Sequence, residues 1–319
     1  MATKTKRKID APTDEAALAA WEEGVCLKVT IGTFSVVRPT TVDQDTVSTK
    51  ADPEMVKARK KIFESEAFSA AMAHERKLRD FLETKSLQTD ILARGMYFVP
   101  MINFKEVMAG IREADELRKT KLAPAILAGW GETKKACEKR LGPLWDEDQF
   151  PTKEEIRDAF YITVRPFQFT APARVKEHDL GLYEESRRML QQGIVDAVAG
   201  FRRLLRSQLL EVTEKLAEAL TGKTESGGKK ALRQATIDNV TEWLDNFAPK
   251  DVSKDADLGA QVEKMRRLLS GIDPDEVKGD DELRGKLGAQ VMEIKQSIGK
   301  LVVEAPGRAI RLKKKEAAA

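Results

Sequence analysis

The sequence predicts a mainly α-helical fold with a minor β component, arranged as an elongated helical bundle around one helix of about 40 residues. Three observations favour this fold class. A long apolar repeat runs through the second half of the 319 residues, aromatic residues make up only 6% of the chain, and strand-like alternation occurs at two places. The 34% of charged residues is typical of long amphipathic helices, and the scarcity of aromatic residues disfavours an all-β fold.

The long helix is indicated by nine apolar residues at repeated spacings of four, four and three. An eleven-residue repeat averages about 3.67 residues per turn, close to the 3.6 of a straight α-helix, so these side chains share one face. A stripe of this length is expected to be buried against other helices or against another chain. The residues of this core stripe are Leu190, Ile194, Val198, Phe201, Leu205, Leu209, Val212, Leu216 and Leu220.

Two segments show the period of two that a half-buried strand requires. Apolar and polar residues alternate within residues 25–37 and again within residues 160–169. We expect the two segments to pair as a small antiparallel element, because an isolated strand needs a partner. Pro166 lacks a backbone N–H and therefore places the second strand at an edge or a bulge.

Between these strands the pattern predicts a helical hairpin. One helix is expected from Pro53 to about residue 82, because proline suits a first helical turn. Residues 94–100 then form a turn or a very short strand. The second helix covers residues 104–141 and should kink or break at Pro124.

After the long helix, shorter amphipathic helices are indicated around residues 237–247, 258–269 and 283–301, with short connectors that favour antiparallel neighbours. The chain is therefore expected to have four parts. These are a flexible basic segment (1–24), a helical hairpin with a small β element (25–180), a long-helix bundle (181–305) and a basic tail (306–319).

The net charge of +3 is unevenly distributed, since the first ten residues carry +3 and the last twelve carry +4. Flexible basic ends can contact phosphates. The candidate nucleic-acid contacts are Lys6, Arg7, Lys8, Arg311, Lys313, Lys314 and Lys315. The basic clusters at residues 57–61 and 202–206 are interpreted as solvated, salt-bridged helix faces, because acidic residues intersperse them and no aromatic stacking array accompanies them.

No catalytic constellation or cofactor motif is found, so we expect no enzyme activity, no cofactor and no bound metal. A zinc-protease helix needs a second histidine four residues after the first, and Leu78 stands there after His74. We interpret His74 as a solvent-facing helix residue. His178, in a predicted loop without a second histidine or cysteine nearby, is the best remaining candidate for a metal ligand or general base.

Other suggestive motifs favour structural roles. The acidic clusters at residues 146–148, 273–276 and 279–282 fall at helix boundaries, where carboxylates cap backbone amides. Residues 222–224 imitate part of a phosphate-binding loop but follow a helix without the required earlier glycine, so they indicate a helix end. Cys26 alternates into a strand and is interpreted as a small buried apolar residue.

Cys26 and Cys137 lie far apart and indicate no disulfide framework, which fits a reducing compartment. No apolar run approaches the ~20 residues that a membrane crossing requires. The N-terminal positive charges are not followed by the apolar core of a secretory signal. We therefore expect a cytoplasmic protein without contact to a membrane.

The order of elements resembles a family of uncharacterised bacterial and phage proteins that share a domain of unknown function. The features that carry this resemblance are the Leu27–Thr33 strand, the hairpin tip Gly95–Pro100, the Phe160–Phe169 segment and the long helices after it, over residues 25–300 in all. Genes of that family often lie near those of ring-forming AAA+ ATPases of the MoxR or cobaltochelatase-like type and of von Willebrand A-type proteins. The resemblance implies an accessory subunit that works with a separate motor, and it supplies no catalytic residues.

The leading functional hypothesis is a non-enzymatic helical scaffold or adaptor of a larger intracellular assembly, phage-encoded or not, with a protein partner or a second copy on its long helix. The alternative is a nucleic-acid-binding protein that uses its basic tails in phage replication, packaging or defence. An enzyme with a metal site around His178 is the third hypothesis.

Overall fold

The computed structural model describes residues 14–40, 58–88, 92–93, 95–222 and 232–303. The predicted fold class is confirmed, because helices dominate, the sheet is small and antiparallel, and one helix has 42 residues. The chain divides into two compact units. The sheet unit comprises Val25–Ser86 and Ala93–Gln168, and the bundle unit comprises Met1–Gly24, Leu87–Leu92 and Phe169–Ala319.

The helices are α1 (Asp14–Glu22), α2 (Glu66–Lys85), α3 (Met101–Leu117), α4 (Ala123–Ala128), α5 (Trp130–Leu141), α6 (Lys153–Ala159), α7 (Ala173–His178), α8 (Leu180–Thr221), α9 (Gln234–Lys250), α10 (Ala256–Leu269), α11 (Pro274–Gly279) and α12 (Asp281–Val303). The strands are β1 (Gly24–Ile31), β2 (Val37–Thr40), β3 (Ala58–Lys61), β4 (Met96–Pro100) and β5 (Ile162–Phe167). A π-helical turn (Arg118–Leu122) joins α3 to α4, and 3₁₀ turns cover Gly142–Leu144 and Glu147–Gln149.

The predicted pairing of the two strand segments is confirmed. β1 and β5 are antiparallel, with Cys26 opposite Phe167 and Ile31 opposite Ile162. β1 is the central strand of the order β4-β1-β5. Residues 94–100, for which the sequence allows either a turn or a very short strand, contain the third strand, β4. Pro166 is tolerated because β5 lies at the edge of this sheet.

The helix predicted over residues 53–82 begins too early, and this part of the prediction is wrong. Residues 58–61 form β3, which pairs with β2 in a two-stranded antiparallel sheet. α2 starts only after Ser65, whose hydroxyl accepts a hydrogen bond from Phe68 N at 3.1 Å. A cross-strand partner and an N-cap therefore override a local sequence of good helix formers. Pro53 lies outside the described residues.

An aromatic cluster fills one core of the sheet unit. The rings of Phe34 and Phe63 meet edge to face with centroids 5.0 Å apart, and Phe68, Phe150 and Phe160 pack around them. A second, aliphatic core packs β1 and β4 against α2 and α3, with Leu27, Leu82 and Val99 fully buried. Aromatic residues are scarce along the chain, yet many of them are concentrated here.

The bundle unit includes α1 and α7 as well as the long helix. Residues 14–22 form α1 and pack on α8, where Trp21 stacks on Phe201 with centroids 6.1 Å apart. α7 groups with α8 in the same unit, because the unit begins again at Phe169 rather than at residue 181. α8 also packs against α9 and α12.

A buried ion pair ties three helices of the bundle unit together. Arg206 on α8 donates to both carboxylate oxygens of Asp255, at 2.7 and 3.0 Å, and its third nitrogen donates to the Leu301 carbonyl of α12 at 3.0 Å. Asp255 also caps α10 by accepting from Leu258 N at 3.3 Å. The two side chains are only 9% and 4% exposed. The sequence-based interpretation of Arg206 as part of a solvated face is therefore wrong.

Substitution of a stripe residue by a charge should prevent folding. Leu205 and Leu209 are both 0% exposed, and a buried unpaired carboxylate costs several kcal/mol. We expect Leu205→Glu and Leu209→Glu to lose the cooperative thermal transition in circular dichroism, and Leu205→Ala to lose about 2–5 kcal/mol in urea unfolding. Ser207→Glu, at an exposed position of the same helix, is the control and should match the wild type. Wild-type melting of both glutamate variants would contradict the burial.

Asp255→Ala should destabilise the chain by about 3–5 kcal/mol, because it leaves the Arg206 guanidinium buried without its counter-charge. Urea unfolding measures this loss. Asp257→Ala, at an exposed position two residues further on in the first turn of α10, is the matched control. A loss from Asp255→Ala no larger than that of the control would show that the ion pair is not needed.

Candidate functional site

The core stripe is mostly internal to the bundle unit. Seven of its nine residues are buried, whereas Leu190 and Val212 are half-buried. The first buried residue of the stripe is Ile194, because neighbouring helices cover α8 from this point onward. An interaction surface has to be sought elsewhere on the described residues, because these side chains already have partners within the chain.

The predicted nucleic-acid contacts in both tails lie outside the described residues. Two members of the basic helix clusters are engaged in internal contacts. Lys60 is 8% exposed and its ammonium donates to the Leu144 carbonyl at 2.6 Å, and Arg206 is held by Asp255. The expected solvated face is therefore also wrong for Lys60. Arg59 and Arg203 are exposed.

Exposed apolar side chains are concentrated in the first turns of α8. Among the described residues ten large apolar side chains are exposed, and three of them lie within residues 180–190, which we call the leading segment. They are Leu180, Leu182 and Met189, at 59%, 51% and 66% exposure. Asp179 fixes the start of this segment by accepting a hydrogen bond from Leu182 N at 2.9 Å.

Leu182 and Met189 share one face of the leading segment, because residues seven apart lie almost in line on an α-helix. Leu190 follows Met189 by one residue, or about 100° of rotation, so this face points away from the core stripe. Tyr183 lies about 100° from Leu182 and is half-buried, with the Lys176 ammonium of α7 5.7 Å from its ring centroid. α7 thus covers the Tyr183 side of the helix and leaves the face of Leu182 and Met189 to solvent.

Charges of both signs lie close to this apolar face. Glu184, Glu185, Arg187 and Arg188 are all exposed. Glu185 and Arg188 lie on one flank of the face, whereas Glu184 and Arg187 lie about 150° round the helix from it. Arg187 and Glu184 approach each other at 3.9 Å on that far side, and each side chain remains 57% exposed.

A buried arginine in the sheet unit has no counterpart in the sequence predictions. Arg118, the first residue of the π-helical turn, is 0% exposed and donates to the Gly32 carbonyl just after β1. Its guanidinium carbon lies 4.9 Å from the Phe160 ring centroid. Burial lowers the pKa of Arg118, while the carboxylates of Glu75 and Asp115 oppose that shift. The sequence places no recognisable motif around this arginine.

Several polar atoms near Arg118 are buried without a hydrogen-bond partner among the described atoms, namely its own Nε and Nη1, Glu75 Oε2 and His74 Nδ1. Burial, followed by the charges of Arg118 and Lys77, lowers the pKa of His74. His74 is half-buried, so the predicted solvent-facing position is wrong. The cluster places a cation over an aromatic ring with two nearby carboxylates, an arrangement that ties α2, the π-helical turn and the end of β1 together.

An open groove of about 470 Å³ lies beside Trp130. The Trp130 indole donates to the Pro151 carbonyl at 2.9 Å, and the ammonium groups of Lys134 and Lys153 lie 5.4 and 5.3 Å from its rings. Glu147 also lines the groove and pairs with Lys134. The mixed charges favour no single class of ligand.

No cluster of three histidine, cysteine or acidic side chains suited to a metal ion occurs within the described ranges. His178 ends α7, rather than lying in a loop, and is exposed. Two of the acidic clusters contain capping residues, since Asp146 accepts from Asp148 N at 3.2 Å and Asp280 accepts from Leu283 N at 3.0 Å. Gly222 ends α8, and the two residues after it lie outside the described chain.

None of the helices that the structure describes combines the length and the apolar character needed to span a bilayer. Comparison of the chain with protein-family models, with curated proteins and with solved structures gives no match. The resemblance to the domain family encoded near AAA+ ATPases therefore stays a prediction.

Cys26 should be unreactive in the folded chain. The side chain is 3% exposed, and burial raises the pKa of its thiol to about 12. In a Cys137→Ala variant we expect no reaction with Ellman's reagent at about pH 8 until urea unfolds the protein, because the thiolate is the reactive form. In the unfolded chain the pKa of this thiol returns to its ordinary value of about 9. Above that pH the unfolded thiol ionises while the folded one does not, so the free energy of unfolding falls as the pH rises from about 9 toward 12. Rapid stoichiometric labelling of the folded variant would contradict the burial.

Proposed function

We propose that this protein is a non-enzymatic helical scaffold or adaptor, and that the leading segment of α8 is its interaction surface. The observation that carries the proposal is the exposure of Leu182 and Met189, 51% and 66%, on one face of a helix whose later turns are fixed in the bundle unit. Apolar side chains on a rigid, preorganised helix bind a partner with little loss of conformational entropy.

The rigid mounting supports the same role. α8 is continuous over 42 residues, and Phe201, Leu205 and Leu209 anchor it with no exposed area. The leading segment belongs to the same continuous helix, so its apolar face lies at a fixed angle to the core stripe. In a larger assembly this arrangement gives a partner a fixed helical surface, and the family resemblance makes a ring-forming AAA+ ATPase one candidate partner.

The nucleic-acid alternative has no support from the described helices. Two of the basic side chains that would track phosphates, Lys60 and Arg206, are bound inside the chain. The exposed charges of the leading segment include equal numbers of acids and bases, a pattern that suits a protein surface better than a phosphate backbone.

Photo-crosslinking tests the proposed surface. We expect p-benzoyl-phenylalanine at position 182 or 189 of the full chain to give ultraviolet-dependent protein adducts in cells, at several times the yield of the same group at position 207. Position 207 is the matched control, because Ser207 is exposed on the same helix but lies beside the bundle. Equal yields at the three positions, or no adducts, would remove the proposal.

A further inference from the structure

The leading segment has a palindromic order of residue types around Ser186. Outward from that serine, each side presents two charged residues and then two apolar residues, and the charges are acidic on the N-terminal side and basic on the C-terminal side. The two halves are Leu182-Tyr183-Glu184-Glu185 and Arg187-Arg188-Met189-Leu190. A second copy that runs in the opposite direction and meets the face of Leu182 and Met189 therefore brings acidic residues near basic ones and apolar residues against apolar ones.

The helix geometry places these partners on matching flanks. Relative to the line from Leu182 to Met189, Glu185 and Arg188 lie on the same side of the helix at 100° per residue. A two-fold axis perpendicular to two antiparallel helices keeps each flank on its own side, so Glu185 of one copy faces Arg188 of the other, and the reverse contact forms as well. The small side chain of Ser186 at the centre allows the two helices to approach closely.

We infer that the leading segment is a self-association site, in which a second copy of this chain packs antiparallel about a two-fold axis near Ser186. The inference rests on the proposed function, which assigns this segment to protein contacts, and it identifies the partner. Leu182 and Met189 of each copy form the apolar centre, and two equivalent Glu185–Arg188 contacts flank it. The opposite signs of Glu185 and Arg188 make this surface complementary to itself, as a two-fold contact between identical chains requires.

The covered and open faces agree with this arrangement. α7 occupies the Tyr183 side, where Lys176 lies over the ring, and the Leu182–Met189 face remains solvent-exposed in the single chain.

The interface is short, and this sets the conditions for the test. Eleven residues span only about 16 Å, so the buried area falls at the small end of protein interfaces. The association should therefore depend on protein concentration and should weaken as salt screens the flanking ion pairs.

Analytical ultracentrifugation of the full chain between about 5 and 200 µM, a range that brackets weak association, measures self-association directly. We expect a monomer–dimer equilibrium. Glu185→Arg and Arg188→Glu should each weaken it at least about tenfold, because each brings like charges together twice in the dimer. Leu182→Ser should also weaken it. All three are surface changes that should leave the melting temperature unaltered, and Glu211→Arg, further along α8, is the charge-reversal control.

Charge rescue tests the pairing of Glu185 with Arg188. A Glu185→Arg chain and an Arg188→Glu chain carry opposite charges at both flanking positions, so their mixture should regain the wild-type affinity. The double variant that carries both changes should dimerise by itself, because antiparallel pairing sets position 185 of one copy against position 188 of the other. Failure of both rescues, or a wild-type chain that is monomeric throughout the range, would overturn the inference.

The failure of this inference is separable from that of the proposed function. Adducts from position 182 or 189 that contain only other proteins, together with a monomeric chain, overturn self-association and leave the interaction surface in place. The absence of adducts at these positions overturns both.

Discussion

The bundle unit depends on covering the apolar stripe of α8. A helix of 42 residues exposes a long apolar face when alone, and its 4-4-3 spacing keeps that face nearly straight, so straight neighbouring helices can cover it without supercoiling. α1, α9 and α12 pack on α8 and bury seven stripe residues. α1 takes part although the sequence before it is strongly basic, because its Trp21 supplies a large aromatic surface to Phe201.

Buried arginines connect the ends of these elements through backbone carbonyls. Arg284 of α12 donates to the Ala219 and Leu220 carbonyls in the last turn of α8, both at 2.8 Å, and Arg206 donates to the Leu301 carbonyl near the end of α12. Arg118 reaches the Gly32 carbonyl after β1 in the sheet unit in the same way. Carbonyls at element ends lack partners within their own helix or strand, and the fork of a guanidinium supplies several donors from one side chain. Packing along the stripe fixes where the helices run, and these donors then join their ends.

The features of this fold that can be predicted from the sequence are those that follow from the local spacing of apolar residues. The core stripe and the β1–β5 pairing follow from spacings of 3.67 and 2 residues, which need no knowledge of distant contacts. β3 was missed because Ala58–Lys61 has helix-forming residues, and its strand conformation depends on the partner β2. The burial of Arg118 and Arg206 was missed because their acceptors lie 86 and 49 residues away along the chain, and nothing local distinguishes them from solvated arginines.

The leading segment of α8 has an apolar face that is separate from the core stripe. The bundle covers one face of α8, and Leu182 and Met189 lie about 100° or more round the helix from it, so the helices that cover the stripe leave them exposed. Charged residues would keep this second face soluble at no cost to the fold, yet apolar side chains stand at 51% and 66% exposure. Exposed apolar side chains gain only part of the free energy that burial provides. Two blocks of opposite charge lie between these two residues in the sequence. The proposed second copy, with the same segment reversed, would cover the apolar side chains and supply each flanking charge with its opposite.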